Sequence, residues 1–339
     1  MQVRLKPLSQ QVILITGASS GIGRQSAVRF GEAGARLILI ARNEDALQAA
    51  VKEVEEAGGE AMYAVADVAD LEQFRAAADA GVQRFGRIDT WINNAGTGIY
   101  SKLIDSDLAD DRRLFETNFW GVVHGSRLAV GHLLKTGGGA LINVGSSVAD
   151  TSAPIHGMYA TSKFAVKGFT DALRYELMHD KLPISVTQIK PSAINTPFPR
   201  HAKNYFNQYA KLPPPLYNVD LVADQILHAA EHGGRDLYAG GTGWLLGFMA
   251  QHFPSLSDIF VSRFMVSPSF ADRPEDHSNE GLHATRGFHQ AEGDIDRDHH
   301  ERQGSVYGVV RRNPIASLAV AAVGLAVVGL VAKSIEDDR

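Results

Sequence analysis

The chain has 339 residues, 45% of them hydrophobic and 21% charged, with a formal net charge of -5 and no cysteine. That length buries a large core, and the composition is that of a globular protein rather than a disordered one. Without cysteine there are no disulfides, thiolate nucleophiles or Cys-ligated metals, and the mild acidity with no polybasic run argues against a nucleic-acid partner. The first residues, MQVRLKPLSQQ, lack the apolar stretch of a signal peptide, so a cytoplasmic catalytic domain is expected.

From residue 12 to about 241, short apolar runs alternate with helical patterns. VILIT (12–16), RLILIA (36–41), AMYAVAD (61–67), TWINNAG (90–96), ALINVGS (140–146), ISVTQIKP (184–191) and DLYAGG (236–241) read as strands. Several are apolar throughout, as expected of strands covered on both faces by helices. Segments such as EDALQAAVKEVEEAG read as the helices between them, and the alternation predicts an α/β fold with a doubly wound parallel sheet.

The first strand runs into Gly17, Gly21 and Gly23 with a helix immediately after. Glycines at such a junction let the backbone turn tightly and approach a pyrophosphate at the helix N-terminus. Ser19, Ser20 and Ile22 belong to the same turn. The spacing, Gly-x3-Gly-x-Gly, differs from the G-x-G-x-x-G form of other dinucleotide sites. After the second strand come Ala41 and Arg42, with no carboxylate to accept a ribose 2′-hydroxyl or repel a 2′-phosphate. A guanidinium there favours NADP(H) over NAD(H), and Arg24 is expected to add to the positive field.

Further along, Tyr159 and Lys163 stand four apart in YATSK, on one face of a helix. Free tyrosine has a pKa of roughly 10, too high for a good base at neutral pH, and a nearby ammonium favours the phenolate. Ser146 and Ser147 end the preceding strand.

These residues resemble the short-chain dehydrogenase/reductase family over roughly 9–245: TGASSGIG (16–23), ADV (66–68), NNAG (93–96), Asn118 in ETNFWG, Ser146 in NVGSS, YATSK (159–163) and PSAINT (191–196). The resemblance implies a Rossmann fold of about seven parallel strands, an NAD(P) cofactor and carbonyl–alcohol redox chemistry. It implies that Asp67 and Val68 hold the adenine, that Asn94 supports the sheet beside Ala95 and Gly96, and that Thr196, after Pro191, binds the nicotinamide carboxamide. It also implies catalysis by Asn118, Ser146, Tyr159 and Lys163, with Ser146 hydrogen-bonding the substrate oxygen, Tyr159 and Lys163 touching the cofactor and Asn118 holding a relay water. Ser147 is the alternative serine; Ser146 is preferred because the stretch to Tyr159 then aligns with the family pattern without a gap. Pro191-Ser192 departs from the family's usual Pro-Gly, and homo-oligomers are common in the family. Two other readings remain: a cofactor-binding sensor or scaffold without turnover, and an isomerase or dehydratase on the same fold.

The catalytic domain is expected over 1–245. Residues 197–217, aromatic and proline-rich, suit a lid over the substrate. The apolar stretch 246–270 reads as a substrate-side or interface extension, favouring a lipophilic ketone or secondary alcohol as the small-molecule substrate. Residues 271–310 have few large apolar side chains and read as a disordered linker; their histidines (His277, His283, His289, His299, His300) are irregularly spaced and are not read as metal ligands. Ile315–Ala332 carries no charge and as a helix would span roughly 27 Å, close to a ~30 Å hydrocarbon core. With Arg311 and Arg312 before it, 311–339 reads as a membrane-anchor helix.

Overall fold

The computed structural model describes residues 3–275, 280–285, 290–293, 301–305 and 307. Seven parallel strands form the central sheet: β1 (Val12–Thr16), β2 (Arg36–Ala41), β3 (Glu60–Val65), β4 (Thr90–Asn93), β5 (Gly139–Val144), β6 (Ile184–Pro191) and β7 (Asp236–Ala239). Their order is β7-β6-β5-β4-β1-β2-β3. Every strand predicted from the apolar runs is present, with ends shifted by no more than a few residues.

The sheet divides its side chains between two cores. Ile13, Ile15, Leu37 and Leu39 enter one apolar cluster, whereas Val12, Leu14, Ile38 and Ile40 enter the other. Period-two alternation with apolar residues on both sides makes β1 and β2 read as unbroken apolar runs. Each fully buried Ile or Leu contributes about 1.5–3 kcal/mol. Among the described residues, edge strand β3 pairs only with β2, and its residues are correspondingly half-exposed.

Helices α1 (Gly21–Glu32), α2 (Glu44–Glu56), α3 (Leu71–Phe85), α4 (Leu108–Phe115), α5 (Gly121–Lys135) and α6 (Gly157–His179) connect or cover the strands. Asn43 caps α2 by accepting from the Ala46 N–H, and Asp70 caps α3 by accepting from Glu72 and Gln73. By contrast, α1 has no side-chain cap, which leaves its first N–H groups for other acceptors. Between α4 and α5 the chain makes one π-helical turn, Glu116–Trp120, enclosing the buried Asn118. Such turns are frequent at functional sites. The chain leaves β1 for β2 on one side and later enters β4 on the other, so a crevice opens beyond the carboxyl ends of β1 and β4.

The remaining described elements are α7 (Phe198–His201), α8 (Asp220–His232), α9 (Gly241–His252), α10 (Pro254–Phe264) and two small strand pairs. The boundary expected at residue 245 falls inside α9. That helix starts directly after β7, and a side chain at Gly243 would lie 2.4 Å from the Ser147 Cβ, so it packs on the main domain. The stretch read as a disordered linker also differs from expectation where it is described. Phe270–Pro274 pairs with Gln208–Ala210, Leu282 is fully buried, and Arg302 pairs with Tyr217. One buried leucine and a few backbone pairings hold a polar segment that composition alone assigns to solvent. Among the described residues, no helix is long and apolar enough to cross a membrane. The predicted anchor at 315–332 lies outside the described residues.

Candidate active site

The glycine turn closes tightly on β4. Gly17 has φ +66°, and a Cβ on it would lie 2.8 Å from the Ala95 Cα. Gly23 packs closer still: a Cβ there would stand 2.2 Å from the Gly17 carbonyl oxygen and 2.6 Å from Asn94 Nδ2. Asn94 stitches the two strands, donating to the Thr16 and Gly17 carbonyls at 2.9 and 3.2 Å. The Thr16 hydroxyl accepts from the Asn94 and Ala95 N–H groups, each at 3.0 Å. The turn therefore faces the crevice at the N-terminus of α1, which has no side-chain cap and whose Gly21 N–H donates to the Gln290 carbonyl at 2.8 Å.

A single cavity of about 350 Å³ runs from this turn to Tyr159. Every predicted cofactor or catalytic residue lines it except Gly23, which sits beneath the turn, and Asn118, which sits behind Thr97. At the β2 end, Arg42 lies beside Arg113 of α4 and Asp67, with Arg113 paired to the Asp67 carboxylate. Burial lowers the Arg42 pKa, while Asp67 opposes that shift and Arg113 adds to it. Arg113 was not found from sequence, since its position in α4 matches no motif and only the fold brings it to the end of β3. The Arg24 charge differs from expectation: Glu53 of α2 takes it at 2.7 and 2.8 Å, so it is spent on helix packing rather than on the cleft.

At the other end, Lys163 is 4% exposed and donates to the Val144 carbonyl at 3.0 Å, with its Nζ 5.7 Å from the Tyr159 ring centre. Burial pulls the Lys163 ammonium down to about 8. Burial also pushes the Tyr159 phenol up to about 12, and a hydrogen bond from Ser146 acts in the opposite direction. Desolvation of the phenolate is the larger of these two effects on Tyr159. Ser146, not Ser147, meets Tyr159; Ser147 turns toward Gly243 and the Ser192 side of the loop.

Asn118 is fully buried. Its Oδ1 accepts from the Thr97 N–H at 2.8 Å, and its Nδ2 donates to the Thr97 carbonyl and Ser162 Oγ at 2.9 and 3.1 Å. Ser162 in turn donates to the Tyr159 carbonyl at 2.7 Å, so this amide ties the strand after β4 to the helix turn carrying Tyr159 and Lys163. With both amide hydrogens used by protein acceptors, the side chain positions the site. The Ser146 turn is braced from behind by Asp150, which accepts from Lys167, from Lys190 at 2.9 Å and from Tyr238 at 2.5 Å.

Ser192, where the family usually has glycine, needs no left-handed backbone. Its hydroxyl donates to the Gly240 carbonyl at 3.1 Å and accepts from the Gly243 N–H at 2.9 Å, capping α9 in place of a local residue. His156, also unpredicted, lines the cavity with its ring 6.0 Å from that of Tyr159. Both its nitrogens are buried without a partner among the described residues, and burial pulls its pKa down to about 4. The preceding Ile155 has φ +60°, an uncommon strain for a β-branched residue. Over the far wall lie Phe198, Leu212 and Pro213 from the 197–217 excursion, with Leu246, Val261 and Met265 from α9, α10 and the residue after it.

A glycine turn at the switch point of a doubly wound sheet, with a buried tyrosine–lysine pair at the end of its cleft, is the arrangement of a nucleotide-dependent oxidoreductase. Residues 11–205 match the short chain dehydrogenase family, and the chain belongs to it. The uncharacterized oxidoreductase YxnA of Bacillus subtilis is 39% identical over 328 residues, covering 95% of this chain and 90% of the relative. The 7alpha-hydroxysteroid dehydrogenase of Escherichia coli is 33% identical over 189 residues, covering 56% of this chain and 73% of the relative. Among solved structures, a short chain dehydrogenase from Mycobacterium paratuberculosis bound to NAD superposes with a TM-score of 0.61 at 25% identity, covering 69% of this chain and 97% of the other. The protein is accordingly a dehydrogenase/reductase enzyme.

Proposed function

We propose that the protein interconverts a carbonyl and a secondary alcohol on a lipophilic substrate, using NADP(H), with Tyr159 as the acid–base group. The observation carrying this reading is the meeting of Ser146, Tyr159 and Lys163 at one end of the cavity that begins at the glycine turn. The residues fit a dinucleotide: the absence of a Cβ at Gly17 and Gly23 lets the turn close on Ala95 and Asn94 at the cavity's edge, and α1 begins there without a side-chain cap, its Gly21 N–H bonded to the Gln290 carbonyl that a pyrophosphate would replace. Support for the 2′-phosphate form comes from Arg42 and Arg113, with Ala41 and Asn43 rather than a carboxylate flanking Arg42.

A bound nicotinamide supplies or accepts the hydride. The protein's part is the proton. Tyr159, raised to about 12, stands protonated at neutral pH and is ready to give its proton to a carbonyl oxygen as that oxygen becomes an alkoxide. Ser146 hydrogen-bonds the same oxygen and steadies its growing charge. Lys163, lowered to about 8, is still mostly protonated at pH 7 and favours the phenolate left behind. Asn118 and Asp150 hold the helix and turn that carry these groups.

The lipophilic substrate reading rests on the Phe198, Leu246, Val261 and Met265 wall, and the steroid named for the E. coli relative is of that class. The test is NADPH consumption, followed by absorbance, against ketones, aldehydes and ketosteroids. Turnover of apolar ketones is expected; binding of NADPH with no oxidation by any of them would overturn the reading.

A further inference from the structure

The guanidinium of Arg42, placed to read a 2′-phosphate, is already engaged. Its Nη2 donates to the Gly281 carbonyl at 2.5 Å and its Nη1 to the Leu282 carbonyl at 3.3 Å. Arg113 Nε donates to the same Leu282 oxygen at 3.2 Å. Two cations at the adenosine end of the cleft thus converge on backbone oxygens from a segment more than 160 residues downstream of either.

We propose that residues 280–285 are a nucleotide-specificity element whose Gly281 and Leu282 carbonyls stand in the 2′-phosphate subsite, so that NADP(H) must displace them and NAD(H) need not. The inference rests on the assignment of Arg42 to the nucleotide's ribose end.

The segment is docked by its own anchors, separate from the contact with Arg42. Leu282 is fully buried against Ile99 and Leu114, with Phe115 and Tyr205 beside them. Glu280 pairs with Lys203 at 2.8 Å, His283 with Asp110 at 2.6 Å, and the Gly281 N–H donates to the His201 carbonyl at 2.9 Å. Side chains fix the position, and the backbone presents the oxygens. Neutral carbonyls satisfy a desolvated guanidinium while no phosphate is there, whereas a phosphate offers charge-assisted bonds roughly twice as strong. Exchange of one for the other is therefore feasible, and the cost of undocking falls on the 2′-phosphate form. A second contact, from the Gly21 N–H to the Gln290 carbonyl at 2.8 Å, lies at the pyrophosphate end. Both nucleotides meet it alike, so it does not discriminate.

Hydrogen exchange of the full chain, with saturating NADPH or NADH, tests the proposal. Peptides spanning 280–285 should exchange several-fold faster with NADPH and at the ligand-free rate with NADH. Equal exchange with the two nucleotides, or slowing by NADPH, would overturn it. Leu282→Ser removes the anchor: NADPH affinity, read from tryptophan fluorescence, should tighten about tenfold, a change of about 1.4 kcal/mol, with NADH affinity nearly constant. Equal changes for both, or weaker NADPH binding, would likewise count against it. Binding of neither nucleotide to the unaltered protein would remove the assignment of Arg42 itself, a different failure from binding without release of the segment.

Discussion

Replacing Gly23 by alanine tests whether the turn is built around close backbone approach. The added Cβ would lie 2.2 Å from the Gly17 carbonyl oxygen, about 1 Å inside the nearest ordinary contact. Neither the Gly17 carbonyl nor Asn94 Nδ2, at 2.6 Å, is the free end of a flexible side chain, so the turn itself must move. Overpacking of this kind costs about 1–3 kcal/mol. Displacing Asn94 also weakens its bonds to the Thr16 and Gly17 carbonyls, each contributing about 0.5–1.5 kcal/mol. A total near 2–4 kcal/mol follows, with Tm lower by roughly 5–10 °C in a domain of this size. Shifting the turn by about 1 Å should also reduce nucleotide affinity or turnover on the order of 100-fold. Differential scanning fluorimetry with and without NADPH reads both effects. Gly131→Ala is the control: it is an exposed position within α5 with nothing within 4 Å, and should stabilise by about 0.5–1 kcal/mol. If Gly23→Ala keeps its Tm and still gains stability from NADPH like the unaltered protein, the close-approach argument is wrong.

Two further outcomes follow from buried charge. His156, held near 4 in the fold against 6.5 unfolded, is neutral when folded while the unfolded chain takes up a proton between those values. Its contribution to stability is complete above about pH 6.5 and is lost as pH falls toward 4, amounting to about 3 kcal/mol. Urea unfolding from pH 7 to 5 should show that slope, and His156→Leu should flatten it; an unchanged slope would count against the assignment. Asp150→Ala leaves Lys190, 3% exposed, without its nearest carboxylate. A loss of about 3–5 kcal/mol is expected by chemical denaturation, and a loss below 1 kcal/mol would show that Asp236, at 3.9 Å, takes over the pairing.

Most of the sheet was legible because both faces of its central strands are covered, so Val12–Thr16 and residues 37–41 of β2 announce themselves as apolar runs. The glycine turn and the Tyr159–Lys163 pair were legible for a different reason: each is local, fixed by spacing along one turn or one helix face. Arg113, His156 and the 280–285 segment are not local. Arg113 reaches Asp67 from α4, His156 is identified by nitrogens left without partners, and Leu282 is one buried leucine in a polar stretch. The upward shift of Tyr159 is not legible in the spacing, which reveals the nearby lysine but not how deeply the pair is desolvated. Ser192 shows the converse: a departure from the family's usual glycine serves as a cap for α9.

The proposed role of Tyr159, moving the proton in a nicotinamide-dependent carbonyl reduction, is tested by removing its hydroxyl. Tyr159→Phe removes one oxygen and leaves the ring against Phe198, whose centre is 5.3 Å away. The measurement is NADPH oxidation with the best ketone of the panel, beside NADPH affinity for the same preparation. A fall in kcat of about 10²–10⁴ is predicted, with affinity little changed. Turnover retained near the unaltered rate, with NADPH bound normally, would contradict it.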